Sequence, residues 1–129
     1  MLSVRLFLIV QILILAGFGL AYFVRPQETA NLSGMLLMAP AALTDVRAYY
    51  GGLQLGLAAW LGLALLRGDL LRPALMLLVL LYSALFLARL GGLWLDGGAQ
   101  QTFNLYAMLF EGVSAALAFW LLRGRSAAA

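Results

Sequence analysis

Four long apolar runs constrain this chain more than anything else in it. They cover residues 2–24, 45–66, 73–95 and 102–122. A helix rises about 1.5 Å per residue, so about 20 apolar residues cross the hydrocarbon core of a bilayer. The chain is 65% hydrophobic and 10% charged, whereas soluble domains run about 45–50% apolar and about 25% charged. The expected fold is an all-α membrane protein: a four-transmembrane-helix bundle in a single domain over 1–129, with both termini cytoplasmic. Residues 25–44 are expected as an interfacial loop.

Composition removes several chemistries. No cysteine is present, which excludes disulfides, thiol chemistry and thiolate metal sites. Histidine is absent too, and with it the commonest metal ligand and the usual general base. No metal and no cofactor are expected. All eight cations are arginine and the net charge is +3, which reads as membrane orientation, with no nucleic-acid partner.

Taken in order, the first run exceeds the roughly 7–15 apolar residues of a cleavable signal and ends without a small-x-small site, so it reads as a retained helix. After it, Pro26 and Glu28 suit the first turn of a short helix. Met35 to Pro40 is too apolar for water and is expected at the interface, or folded over the end of the bundle. Thr44 or Asp45 can cap the second helix. Arg67 to Pro73 reads as a tight charged turn, and residues 96–101 as the third connection. Arg5, Arg67, Arg72, Arg123 and Arg125 fall on one side, against Arg25, Arg47 and Arg89 on the other, which places the termini in the cytoplasm.

The second helix opens with Asp45-Val46-Arg47-Ala48-Tyr49-Tyr50-Gly51-Gly52. At about 100° per residue, Arg47, Tyr50 and Gln54 share one face, while Ala48, Gly52 and Gly56 make a smooth stripe on another. Gly52-x-x-x-Gly56 usually means close helix packing, and otherwise a self-association face. Ala84, Ala88 and Gly92 repeat small residues on the third helix. Trp60, Trp94 and Trp120 read as ordinary lipid-contact residues.

Glu111 is the residue hardest to explain away. It lies about 13–14 Å into the fourth helix at the helical rise, and an ionised acid there must be paired, hydrated or protonated. Asn104, Ala107, Ser114 and Ala118 share its face, so that stripe must point inward. Gln11, Gln54 and Ser83 reach a similar depth, and such residues are more often interhelical hydrogen bonds than site residues. Arg89 shares a face with Tyr82 and Phe86, which are expected to flank it. The natural partners of Arg47 and Arg89 are Asp45, Asp96 and, by reaching down, Glu111. Near a helix end, either arginine can instead simply snorkel to the headgroups.

Asp45-Val46-Arg47-Ala48-x-Tyr50-Gly51-Gly52 with Gly56, Arg89-Leu90-Gly91-Gly92 with Asp96-Gly97, and Glu111 together resemble the domain of unknown function 4345 family, small bacterial membrane proteins with four spans. The resemblance covers nearly the whole chain and implies the architecture but no activity. It is similar, more distantly, to other four-span bundles such as the DoxX-like proteins and the sterol-isomerase-type fold. The absence of histidine argues against copying a sterol-isomerase site here.

Three readings of function follow. In the first, the bundle binds a membrane lipid or small amphipathic molecule in its outer half. Arg47 and Arg89 would meet a polar or anionic head, Asp45, Gln54, Asn104 and Glu111 would complete the polar set, and Tyr50, Phe86 and Met108 would line the apolar part. In the second, Glu111 is the catalytic acid–base group of an isomerase-like enzyme on a lipophilic substrate. In the third, the Gly and Ala faces build a homo-oligomer or a structural assembly subunit. The membrane expected from the resemblance is a bacterial inner membrane.

Overall fold

The computed structural model describes residues 2–98 and 101–128, with side chains through residue 124. Residues 99 and 100 of the expected third connection, the Arg125 side chain counted in the arginine bias, and both chain ends lie outside the described residues. Among the described residues every regular element is helical. Four helices are long and apolar enough to cross a membrane: Leu2–Val24, Pro40–Leu66, Gly68–Asp96 and Thr102–Gly124. The chain divides into two compact units, residues 1–68 and 69–129.

In the first unit, α1 (Leu2–Val24) stops where Arg25 leaves helical dihedrals and Pro26 opens the short α2 (Pro26–Ala30). Proline takes the first helical position because its missing N–H would find no partner there anyway. Glu28 sits in the first turn, where a negative charge suits the helix dipole. A 3-10 turn, Asn31–Ser33, ends at Gly34, whose φ of 85° calls for glycine.

The second span begins at Pro40 rather than at about Asp45. α3 (Pro40–Val46) also starts on a proline, after an extended Ala39. Thr44 and Asp45 are therefore inside the helix and cap nothing. A π-helical turn, Arg47–Gly52, carries α3 into α4 (Leu53–Leu66). The wider turn shifts the buried stripe, which steps from Val46 to Gly51 and then runs through Ala58, Leu61 and Ala64.

That shift changes which glycine does the packing. A Cβ on Gly51 would lie 3.1 Å from Gly19 O and from Cβ and N of Phe23, and one on Gly19 would be as tightly placed against Leu55 and Gly51 O. The expected stripe of Ala48, Gly52 and Gly56 is instead exposed. Nothing lies within 4 Å of a Cβ on Gly56. Spacing at constant α-helical pitch misplaces the stripe because it leaves out the π turn.

Two arginines close this antiparallel pair reciprocally. The last carbonyls of a helix have no intrahelical donor. Arg5, near the start of α1, donates from Nη1 to Leu65 O at the end of α4, at 2.7 Å. Arg47 donates from Nη1 to Phe23 O at the end of α1. Each cation also faces the negative end of a helix dipole.

In the second unit, a 3-10 turn at Gly68–Leu70 leads into α5 (Leu71–Asp96), which ends at Gly97 with φ 82°. The helix thus begins before Pro73, which is tolerated in the first turn. α6 (Thr102–Ala128) runs beyond the expected Leu122. The two helices are antiparallel neighbours. Tyr82 meets Phe110 edge-on at 5.5 Å, and the Phe86 ring lies against Gly112, 3.3 Å from where a Cβ would stand. Ala84 and Ala88 are exposed.

Gly51→Ala should lower stability by about 1–3 kcal/mol, the usual cost of overpacking, because the atoms it meets are backbone. Gly56→Ala should be neutral, or stabilising by up to about 1 kcal/mol through helix propensity. Thermal unfolding in detergent, followed by tryptophan fluorescence, compares the two. Equal effects would refute the assignment of Gly51 as the packing glycine.

Candidate functional site

On α6 the buried stripe is Met108, Glu111, Ser114 and Ala118, spaced three or four residues apart as one helix face requires. Glu111 thus points inward at mid-span, and across from it stands Arg89 of α5. Arg89 Nε donates to Oε1 and Oε2 of Glu111, at 2.9 and 3.0 Å. Its Nη1 donates to Oδ1 of Asn104 at 2.6 Å. Asn104 Nδ2 donates in turn to Gln101 Oε1 at 2.6 Å, and Gln101 Nε2 to Gly97 O at 2.9 Å. One hydrogen-bonded chain therefore runs from the mid-span acid to the residue that ends α5.

The guanidinium is also placed 5.9 Å from the Phe103 ring centroid. Tyr82 and Phe86, expected to flank it, are engaged elsewhere, with Phe110 and Gly112. The reason is direction: Arg89 reaches across to the acceptors of α6 and does not lie along its own helix. Gln101 and Phe103 were not foreseen. Gln101 carried a signal, an amide three residues before Asn104, just ahead of the same helix.

The chain leaves an imbalance. Arginine presents a fork of N–H donors and no acceptor. Among the described residues, Glu111 accepts from Nε and Asn104 from Nη1, while Nη2 has no hydrogen bond within the chain. The Arg89 side chain is 27% exposed and that of Glu111 only 6%. The acid is sealed and the base is partly open.

The other candidates lie on the second span, within the first unit. Arg47 caps Phe23 O, and its guanidinium stands 5.9 Å from the Phe23 ring. It does not pair with Asp45; residues two apart on a helix do not face each other. Asp45 is exposed and, among the described residues, makes no hydrogen bond or ion pair. Tyr50 packs on Tyr22 with ring centroids 5.1 Å apart. Gln54 Nε2 donates to Tyr50 O of its own helix at 3.0 Å, a local bond of the kind polar side chains often make. Gln11 is buried and hydrogen-bonded or otherwise engaged.

A model of the family described as "Domain of unknown function (DUF4345)" matches residues 3–122. The chain belongs to the DUF4345 family. No curated protein and no solved structure matches it. The DUF4345 match takes in all four spans nearly to their ends and every candidate from Asp45 to Glu111.

Breaking the Arg89–Glu111 pair on one side should be worse than removing it. Arg89→Leu and Glu111→Leu are each expected to cost about 3 kcal/mol, the low end for a buried pair because Arg89 is partly exposed. The double variant should regain most of that loss. Thermal unfolding of the four proteins as a double-mutant cycle measures it, and strictly additive losses would show that the two side chains do not interact.

Proposed function

We propose that this DUF4345 protein binds a membrane lipid or small amphipathic molecule at the α5–α6 pair, with Arg89 as the recognising group. The observation that carries the reading is Arg89 itself, partly exposed beside a sealed acid and with Nη2 left without a hydrogen bond in the chain. Hydrocarbon offers nothing to accept a hydrogen bond, so a donor left there favours any molecule that brings an acceptor. Glu111 balances the charge of Arg89, and the amides of Asn104 and Gln101 are spent on their neighbours. The ligand's head must therefore supply acceptors, such as carbonyl, ester or phosphate oxygens, and it need not be an anion. In this reading Arg47 serves the fold, because its bond goes to Phe23 O. The membrane is taken to be a bacterial inner membrane on the family resemblance and the helical spans, with both termini cytoplasmic on the arginine bias of the loops.

The acid–base reading of Glu111 meets an obstacle, since both of its oxygens already accept from Arg89. The assembly reading is favoured by one observation: the Ala48, Gly52 and Gly56 face is left uncovered within the first unit.

Native mass spectrometry of protein extracted with its own lipids tests the proposal. The wild type should carry a discrete added mass. Arg89→Lys keeps a cation beside Glu111 but removes the Nη2 donors, and should weaken retention about tenfold or more, the worth of one hydrogen bond to a charged group. An added mass equally retained in Arg89→Lys would move recognition away from this residue. A bare oligomer in both would favour assembly.

A further inference from the structure

The first unit holds a second feature that the Arg89 reading does not use. Where α1 bends into α2 at Arg25, the elbow encloses a shallow groove of about 470 Å³. Gly17, Phe18, Ala21 and Leu32 are among the residues that line it, and Arg25 and Glu28, which follow the last residue of α1, line its mouth. The concavity is built into the backbone. Thr29 Oγ1 donates to Ala21 O at 3.0 Å and to Arg25 O at 2.7 Å, pinning α2 to the end of α1. At Gly17 a side chain is missing where one would fit, with nothing within 4 Å of a Cβ.

We infer that this groove holds one zwitterionic phospholipid, with an acyl chain along Gly17 and Ala21, its phosphate on Arg25 and a terminal ammonium on Glu28. The environment and the charges both point there. α1 is long and apolar enough to cross a membrane, and the groove's walls are almost entirely apolar, so an acyl chain fits them. The mouth lies just beyond Val24, the last residue of that span, where headgroups are found. There Arg25 Nη1 and Glu28 Oε2 form an ion pair at 2.7 Å, with side chains 72% and 65% exposed.

So exposed a pair adds little to the fold, and most of its hydrogen-bonding capacity remains free. The carboxylate's hydrogen bond and charge raise the Arg25 pKa further, so the cation is permanent. A cation and an anion one helical turn apart complement a headgroup that carries a phosphate and an ammonium at similar separation. Arg25 gives the phosphate charge-assisted donors, and Glu28 accepts from the ammonium. An anionic head would satisfy Arg25 but be repelled by Glu28.

The test uses the whole chain carrying Arg89→Lys, so that lipid held at the other site contributes less. It is stripped of lipid in detergent and titrated with phosphatidylethanolamine or phosphatidylglycerol of the same acyl chains, and bound lipid is counted by native mass spectrometry. Phosphatidylethanolamine should be retained better, by on the order of tenfold. Gly17→Leu places a side chain in the groove from a position with nothing within 4 Å of its Cβ, and should abolish retention with the unfolding temperature unchanged. The double exchange Arg25→Glu with Glu28→Arg keeps the ion pair but reverses its order, and should erase the headgroup preference. Equal retention of the two lipids, or retention unchanged in Gly17→Leu, overturns the inference. So would a wild-type dimer that Gly17→Leu dissociates without changing lipid retention, which would assign the groove to a second copy of the chain.

Discussion

A bilayer interior supplies no hydrogen bonds, and that constraint accounts for where the span arginines of this protein go. Every polar group inside must find its partner in the protein. Arg5 and Arg47 are spent on Leu65 O and Phe23 O, carbonyls that helix ends leave without donors. Gln54 is spent on Tyr50 O. Arg89 meets the one acid buried at mid-span and an amide beside it. Residues that look like ligand contacts in a sequence are thus parts of the fold first. What remains for recognition is the capacity they do not use.

The π turn at Arg47–Gly52 belongs to the same economy of partners. In an unbroken α-helix, Val46 and Gly51 would point about 140° apart at about 100° per residue. With the wider turn both are buried, and the stripe continues to Leu61 and Ala64. The turn surrenders the regular ladder over a few residues. In return it brings the backbones of Gly19 and Gly51 together, in a unit where Arg47 reaches the end of α1. A π turn in a helix often marks a functional place; here its visible consequence is packing.

The parts of the fold that depend on summed, local properties were legible in the sequence. Length and hydropathy are enough for four apolar helices, and the ordered motifs were enough for the family. The need of a mid-span acid for a partner was legible too, and Arg89 was among the partners named. Choices between neighbours were not. Arg47 was offered Asp45, but helix geometry puts residues two apart on different sides and a carbonyl of α1 was within reach. Arg89 was offered the aromatics of its own helix, and takes Phe103 from the next. The π turn leaves no trace in hydropathy, so the glycine stripe was drawn one residue out of place. Pro40 did carry a start signal for the second span, masked by the apolar Met35–Ala39 run before it.

All eight cations being arginine now has a physical sense. Arg47 bonds a carbonyl and lies beside the Phe23 ring. Arg89 bonds a carboxylate with one edge, an amide with the next, and lies beside Phe103. A guanidinium can do these things together because its donors lie in a plane and its faces are free to meet an aromatic ring. An ammonium is a point charge on a flexible stem; it can balance Glu111 but has no rigid fork to order Asn104 at the same time. In Arg47 the recorded bond serves the fold. In Arg89 the Nη2 donors are left over, on a side chain that is partly exposed. Charge alone does not distinguish these two arginines; the difference lies in what each is bound to, a helix-end carbonyl for Arg47 and a buried acid with an amide for Arg89.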